Sequence, residues 1–199
     1  MSDPSAVFPS APPERIDLAE GAALVRCRAE RAAAAVVAIN TSLEHLGPWM
    51  AWASEPATEP AMATFFAAAE ALWDERKDFG YSIVDPADEL VVGGCGLHGR
   101  LGRDGLEIGY WVHVDHAGRG LATAAARALT DAAFAIDGIE RVRITCEEHN
   151  GRSARVPEKL GYELHGVTVA DGGPCEGRST QGWLIARPTW IARRQDSEP

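Results

Sequence analysis

Apolar residues recur along the chain at two spacings, which predict where helices and strands lie. Helical spacing or alanine-rich composition predicts four helices, at residues 29–46, 59–76, 121–136 and 153–160. The second carries a clear apolar stripe, and Pro48 ends the first. We expect the apolar faces of these helices to pack against a common core.

Alternation of apolar and polar residues predicts the strands, at residues 22–28, 79–84, 90–97, 106–112, 141–146, 162–169 and 181–187. Gly93, Gly94 and Gly96 fall in the third strand, where glycine often marks a close approach to backbone or ligand. The mixture of strands and helices predicts one α/β (α+β) domain, with a mixed sheet of about six or seven strands flanked by about four helices.

Length and composition are those of a single globular domain. The chain has 199 residues, of which 46% are hydrophobic and 24% charged. Residues 1–15 are rich in Pro, Ser and Ala and predict a flexible arm, followed by the domain at 16–190 and a tail at 191–199. There is no apolar run of transmembrane length and no leader-like start, so we expect a cytoplasmic protein without membrane association.

The formal net charge of -10 disfavours a nucleic-acid partner, since such proteins need a basic surface. It fits a cationic acceptor such as an amine, which an acidic surface would attract. Many acidic proteins are acidic only because this keeps them soluble, and the sequence leaves both explanations open. The four cysteines form no C-x-x-C pair and are typical of buried small residues or loop thiols.

A glycine turn at residues 117–122 carries the first sign of chemistry. It follows an apolar strand and leads into an alanine-rich helix. Gly118 and Gly120 allow the backbone to approach a ligand, and the free N–H groups of the following helix favour an anion such as phosphate. Glycines before a helix also serve ordinary chain reversal, so this segment alone is weak evidence.

A second segment makes the first one specific. Residues 150–162 read Asn-Gly-Arg-Ser-Ala-Arg-Val-Pro-Glu-Lys-Leu-Gly-Tyr. This block and the loop Ala117-Gly118-Arg119-Gly120-Leu121-Ala122 together resemble two motifs of the GNAT acyltransferases, most of all their RimJ/RimL-like branch. The strand Glu-Ile-Gly-Tyr-Trp at 107–111 and the segment 42–52 also look like this branch. The resemblance covers roughly residues 16 to 187 and implies the GNAT fold.

The resemblance implies a binding site for an acyl-coenzyme A, most simply acetyl-CoA, with no metal. Backbone groups of the loop would hold the pyrophosphate, and Asn150 would contact the pantetheine arm. Ala117 stands where the family often has Gln or Arg, so one side-chain contact is missing. The implied coenzyme-binding residues are Val112, Ala117, Gly118, Arg119, Gly120, Leu121, Ala122, Thr123, Asn150 and Ser153.

Glu107 is the predicted general base, acting directly or through a water. By resemblance it lies on the strand beside the thioester, and partial burial would raise the pKa of its carboxyl toward a useful range. The alternative is a carboxylate on the solvent face of a strand. Backbone N–H groups around Gly109 to Trp111 would stabilise the oxyanion, and Gly109 would allow a bulge that separates this strand from its neighbour.

Ser153 is the candidate proton donor for the departing thiolate. Many members of the family use a tyrosine of this helix instead, but Pro157 stands at the corresponding position here. Asn150 and Ser153 could also simply cap the helix, because both residue types are preferred at helix starts.

The acceptor site is predicted from the early helices. Trp49 and Trp52 would form one aromatic surface, either in the core or as a wall of the acceptor pocket. Glu44 and Tyr110 complete the predicted substrate-binding residues. His113 and His116 have no further ligands at metal spacing, so we interpret them as polar loop residues rather than a zinc site.

These observations predict an acyl-CoA-dependent N-acyltransferase that acetylates a primary amine by direct attack in a ternary complex. The amine is either a protein N-terminus or a small molecule. The alternatives are a non-catalytic acyl-CoA-binding or regulatory module, and an enzyme that uses succinyl-CoA. The family's habits also suggest a homodimer.

Overall fold

A computed structural model describes residues 6–18, 21–85, 90–170 and 175–196. One sheet of eight strands crosses the molecule in the order β1-β2-β3-β4-β5-β6-β8-β7, and every pairing is antiparallel except that of β5 with β6. The strands are β1 Arg15–Asp17, β2 Ala23–Arg26, β3 Asp78–Asp85, β4 Leu90–His98, β5 Gly105–Val112, β6 Arg141–Glu147, β7 Glu163–Val169 and β8 Ser179–Ala186.

Six α-helices accompany the sheet in the described residues, two more than expected. They are α1 Ala32–Thr41, α2 Leu43–Leu46, α3 Glu59–Asp74, α4 Leu121–Ala135, α5 Gly151–Leu160 and α6 Arg187–Gln195. None of the described helices is long and apolar enough to cross a membrane. The predicted α/β fold is confirmed, with β1 as the strand that sequence patterning missed.

The helix predicted at residues 29–46 is in fact broken. A 3-10 turn precedes α1, and Ser42 leaves the helical conformation between α1 and α2 with φ -106 and ψ 7. The Ser42 side chain is buried, and its hydroxyl accepts a hydrogen bond from the backbone N–H of Val114 at 3.1 Å. This tertiary contact fixes the break next to the segment that precedes the glycine loop.

The packed core extends upstream of the domain boundary predicted at residue 16. Phe8 is only 1% exposed and lies 6.0 Å from Phe79, ring centroid to ring centroid. Residues 6–13 of the predicted flexible arm therefore include core residues, while residues 1–5 lie outside the described chain. Downstream, α6 occupies most of the predicted tail, and Trp190 holds it on the domain through a hydrogen bond to Asp131 at 2.8 Å.

The two faces of β5 are covered by different helices. Leu106 and Ile108 are buried against α4, and we call this side of the sheet the α4 face. Trp111 packs with α1 residues such as Ala35, on the side that we call the α1 face. Because side chains alternate along a strand, Tyr110 belongs to the α4 face, and Glu107 and Gly109 to the α1 face.

Strands β5 and β6 separate halfway along their length. Their parallel pairing ends at Ile108 and Ile144, although β5 continues to Val112 and β6 to Glu147. On its other side β5 stays paired with β4 up to Val112. The result is a wedge-shaped gap in the middle of the sheet, beyond Ile108.

Candidate active site

Two backbone N–H groups of β5 point into the gap. The N–H of His113 donates to the Val92 carbonyl of β4 at 2.9 Å. Successive N–H groups of a strand point to opposite sides, so those of Tyr110 and Val112 are directed away from β4 and toward the gap. They lie within or beside the segment where sequence analysis predicted oxyanion donors, and Val112 is a predicted coenzyme contact.

The glycine loop lies at the open end of the gap. Gly118 and Gly120 have φ of +79° and +85°, a left-handed conformation that strongly favours glycine, and a Cβ at either position would meet open space. Gly120 is the N-cap of α4, so the N–H groups of Leu121, Ala122 and Thr123 in its first turn lack intrahelical partners. This loop therefore has the geometry of an anion cradle at a helix N-terminus.

The flanking residues leave that cradle open. Ala117 is half-buried, and Arg119 is exposed, with its side chain in no ion pair among the described residues. The groups that this loop offers to an anion are therefore backbone N–H groups, beside the exposed guanidinium of Arg119.

Helix α5 begins at the other side of the gap. Asn150 is its N-cap, and its Oδ1 accepts a hydrogen bond from the Ser153 N–H at 3.1 Å. The capping interpretation of Asn150 is therefore correct, and within the described part of the chain its side-chain N–H₂ makes no hydrogen bond. Gly161 ends the helix in a left-handed conformation at φ +80°.

Tyr110 and Ser153 meet across the gap, which sequence analysis did not foresee. The Tyr110 hydroxyl lies 3.0 Å from Ser153 Oγ and 3.1 Å from the Ser153 carbonyl oxygen. Burial raises the pKa of Tyr110, so its hydroxyl stays protonated across the physiological range. A tyrosine hydroxyl thus reaches the α5 N-terminus from β5, although Pro157 replaces the tyrosine that the family often has in this helix.

Cys146 lies beside this pair but is not an activated nucleophile. It is 4% exposed, and burial raises the pKa of its thiol to about 11, although neighbouring Ser153 and Trp183 partly offset the rise. A thiol with so high a pKa is present as a thiolate only in traces near pH 7. This agrees with the prediction of direct attack rather than a covalent enzyme intermediate.

Glu107 is buried, and the prediction of a raised pKa is wrong. Burial alone would raise the pKa, but the charge of Arg143 and the hydrogen bonds from Arg100 and Arg143 outweigh it and hold the pKa below its usual range. Arg100 donates at 2.7 Å, Arg143 at 2.8 Å and Thr145 at 3.0 Å. Both carboxylate oxygens are therefore occupied, and the role of Glu107 as general base stays a prediction without its expected pKa.

Gly109 does not form the predicted bulge. Its pairing with Gly96 of β4 continues the regular register of β4 and β5. What its missing side chain provides is space for an imidazole, since a Cβ at Gly109 would lie 3.1 Å from Nε2 of His98. The gap itself opens on the other edge of β5, through loss of pairing with β6.

His98 was not singled out by sequence analysis, yet it lies on the α1 face next to the gap. Its Nδ1 is 2.8 Å from Oδ2 and 3.1 Å from Oδ1 of Asp78 on β3. The two residues are 20 positions apart and belong to no motif that we quoted. Among the glycines of β4, Gly96 leaves room for the His98 ring, whereas Gly93 and Gly94 adjoin Trp111.

The predicted acceptor residues are only partly brought together. Trp49 is half-buried in the turn after α2, and Trp52 is 41% exposed in a short 3-10 helix at residues 51–53. The ring that pairs with Trp52 is Trp111, edge to face at 6.2 Å. Tyr110 lies on the α4 face instead, and Glu44 is exposed on α2.

Two contacts join the segment before β8 to the turn after α2. The thiol of Cys175 donates to the Trp49 carbonyl at 3.7 Å, and Arg178 donates to the Pro48 carbonyl. Burial lowers the pKa of His45 on α2, with the charges of Arg152 and His113 acting in the same direction. The start of α5 and the early helices therefore lie close to one another around the gap.

No group of three or more His, Cys, Asp or Glu side chains in the described part of the chain could hold a metal ion. The rings of His113 and His116 are 5.7 Å apart, and Nδ1 of His113 accepts a hydrogen bond from the Asp115 N–H at 3.1 Å. That bond stabilises the 3-10 turn before the glycine loop.

Comparison with known families adds to this geometry. Residues 24–163 match the acetyltransferase (GNAT) domain. The chain belongs to the GNAT acetyltransferase family. The matched region contains the gap, the glycine loop and α5, and the predicted family is thereby confirmed.

An individual relative of this GNAT domain matches only part of the chain. "Putative ribosomal N-acetyltransferase YdaF" of Bacillus subtilis (strain 168) is 41% identical over 56 residues, which are 28% of this chain and 31% of that protein. The aligned part thus spans about a third of that curated relative.

Solved structures share the fold over most of the chain. RimL, a ribosomal L7/L12 alpha-N-protein acetyltransferase in complex with coenzyme A, has a TM-score of 0.77 at 15% identity and covers 87% of this chain and 98% of its own. Mycobacterium smegmatis RimJ, in complex with CoA-disulfide, has a TM-score of 0.75 at 22% identity, covering 91% and 89%.

Proposed function

We propose that this GNAT domain is an acyl-CoA-dependent N-acyltransferase that transfers acetyl from acetyl-CoA to a primary amine. The observation that carries the proposal is the gap between β5 and β6, which the glycine loop, the α4 N-terminus and the Tyr110–Ser153 pair all adjoin. Backbone N–H groups can hold the pyrophosphate at one end of this gap, and two further N–H groups face into it.

The chemistry follows from what each group can do. The N–H groups of Tyr110 and Val112 can bind the thioester carbonyl and stabilise the negative charge that develops on its oxygen. The Tyr110 and Ser153 hydroxyls can supply a proton to the departing thiolate. With Cys146 held as a thiol, the amine attacks the thioester directly in a ternary complex.

A protein N-terminus is the acceptor class that we propose. The named activities of RimL and YdaF concern ribosomal proteins, and both resemble this chain. The exposed Trp52 beside Trp111 would contact the acceptor's first residues, and Glu44 on α2 would attract its ammonium group. A homodimer and a cytoplasmic location remain predictions, the first of which sedimentation velocity can test.

A thermal-unfolding scan with acetyl-CoA, succinyl-CoA and free coenzyme A tests the first step. A ligand at a hundred times its Kd should stabilise the fold by about 2.7 kcal/mol, a Tm rise of roughly 5–10 °C. No rise with any of the three would contradict the proposal. The acyl donor that stabilises most is then used with a panel of N-terminal peptides, polyamines and amino acids, and binding without turnover would favour the non-catalytic alternative.

A further inference from the structure

Acyl transfer to an ammonium group needs a proton acceptor, and two titratable side chains lie close to β5 on its α1 face. Glu107 is one of them, but both of its carboxylate oxygens already accept hydrogen bonds. The donors are Arg100, Arg143 and Thr145. On the same face, His98 is directly opposite Glu107 on β4, and Asp78 is opposite His98 on β3. These three side chains form a row across three neighbouring strands.

Hydrogen bonding to Asp78 leaves one ring nitrogen of His98 available. A carboxylate can only accept, so Nδ1 carries the hydrogen that is directed to Asp78 at 2.8 Å. In a neutral imidazole the lone pair is then on Nε2. Within the described part of the chain, the structure shows no hydrogen bond at Nε2, and the side chain of His98 is 22% exposed.

The His98 ring lies over Gly96 and Gly109, because these glycines leave room for it. A Cβ at Gly96 would lie 3.0 Å from Cε1 of His98, and one at Gly109 would lie 3.1 Å from its Nε2. Both distances are shorter than comfortable contact for a real side chain. Gly109 is the first residue of β5 beyond its pairing with β6, so Nε2 lies where the gap begins.

We propose that His98 is the general base of the acyl transfer and that Asp78 is its positioning residue. This inference rests on the proposed function. It assigns the incoming amine to the α1 face, and the departing thiolate to the Tyr110–Ser153 pair on the α4 face. Proton removal and proton delivery would then occur on opposite sides of β5.

The acceptor ammonium gives one proton to Nε2 of His98, and the free amine attacks the thioester carbonyl carbon. A C–N bond forms and the C–S bond breaks, with its electron pair leaving on sulfur. The new amide nitrogen gives its second proton to solvent, and the thiolate gains one proton from the Tyr110–Ser153 pair, which solvent reprotonates. His98 then releases its proton to solvent, so that the whole reaction releases one proton.

The charged groups around His98 decide how the test is designed. Asp78 faces it from β3 and Glu107 from β5, with Arg100 and Arg143 held by Glu107. The pH dependence of kcat is therefore compared between variants that keep these groups in place. H98Q is the main variant, D78N alters the partner while leaving the imidazole, and H165Q on the exposed strand β7 is the matched control.

The expected result is a loss of kcat of roughly 10²–10³-fold in H98Q, in the range typical of general bases. The acidic limb of the wild-type kcat profile should disappear in H98Q. D78N should lose about tenfold, because a side-chain amide can reverse the tautomer. H165Q should behave as wild type, and the Tm rise caused by acetyl-CoA should persist in all three variants.

An H98Q protein within about threefold of wild-type kcat and with the same acidic limb would overturn the inference. If H98Q does not fold, a D78N protein with unchanged kcat and profile would overturn it equally. A wild-type protein that acetylates no amine of the panel would overturn the proposed function and this inference together. If the wild-type enzyme acetylates an amine and H98Q does so with equal kcat, the inference about His98 is overturned but the proposed function is not.

Discussion

The two faces of β5 differ in the charges that surround their titratable side chains. On the α4 face Tyr110 is half-buried and bonded to Ser153, and its pKa is raised. On the α1 face Glu107 is buried, but two arginines hold its pKa below the usual range. Burial disfavours the charged form in both cases, and only nearby opposite charges reverse that effect. The Tyr110 hydroxyl therefore stays protonated, whereas the Glu107 carboxyl loses its proton readily.

This contrast predicts that the two faces of β5 serve different steps of the reaction, and variants can test that prediction. Changes in the glycine loop should alter coenzyme binding, and changes at Tyr110 and Ser153 on the α4 face should alter departure of the thiolate. Changes on the α1 face should alter activation and binding of the amine.

Replacing Gly120 with valine should reduce acetyl-CoA affinity by at least about 100-fold, which corresponds to roughly 2.7 kcal/mol. A β-branched residue cannot easily adopt φ +85°, so the loop must change its path and lose its N–H geometry. Isothermal titration calorimetry measures the affinity.

Gly138 supplies the matched control for that variant. It has φ +81° and open space around its Cα, but it lies in the turn after α4, away from the glycine loop. Gly138→Val should therefore lower the Tm by a similar amount while acetyl-CoA affinity stays near wild type. Equal losses of affinity in both variants would contradict the anion-cradle assignment.

Tyr110→Phe and Ser153→Ala should each lower kcat by about 10–100-fold, if the pair delivers the thiolate proton. The double variant should lose little more than either single one, because the two hydroxyls act as a unit. Since burial raises the pKa of Tyr110, the wild-type rate should show no fall from its ionisation below about pH 10. Steady-state kinetics over about pH 6–10 checks both statements.

Additive losses from Tyr110→Phe and Ser153→Ala would show that the two hydroxyls act separately. Unchanged kcat in both would assign thiolate protonation to water instead. In either case the Kd for acetyl-CoA serves as the control, since it should stay close to that of wild type.

Glu107→Gln should destabilise the fold by about 1–3 kcal/mol near pH 7, because a buried charge that pairs with two arginines is lost. The sign of the pH dependence follows from the lowered pKa. A carboxylate with a folded pKa below its unfolded value of about 4.3 contributes stability above that value, and the contribution is lost as the pH falls through the folded pKa. Urea unfolding should thus show wild type and variant converging in acid.

Glu163→Gln on the exposed strand β7 is the control for Glu107→Gln and should change stability by less than about 0.5 kcal/mol. Kinetics of the same Glu107 variant decide between the two candidate bases. If Glu107→Gln, while folded, removes the acidic limb that H98Q leaves intact, then Glu107 is the base and His98 is not.

Trp52→Ala should have the smallest effect, a rise in acceptor KM of about threefold to tenfold. Its ring contacts Trp111 on the α1 face and is 41% exposed, so little core packing is lost. Acetyl-CoA affinity should not change. Phe65→Ala, which removes another exposed aromatic ring from α3, should leave both KM values unchanged, and an equal rise there would remove Trp52 from the acceptor site.

Local patterns predicted the parts of the site that lie close together in the sequence. The glycine loop, the cap at Asn150 and the position of Ser153 all follow from short segments whose residue types have strong local preferences. The pKa of Glu107 could not be predicted in this way. Its direction depends on Arg143, which is 36 positions away and becomes a neighbour only because β5 and β6 pair in parallel.

The sequence by itself determined the fold class, the family and the glycine loop, because periodicity and motif residues are encoded within a few residues of one another. Tertiary structure decided which side chains meet and what surrounds each titratable group. Sheet register placed Asp78, His98 and Glu107 in one row, and strand separation brought Tyr110 to Ser153. Protonation depends on burial and on charges from distant segments, and both arise only when the sheet and its helices are assembled.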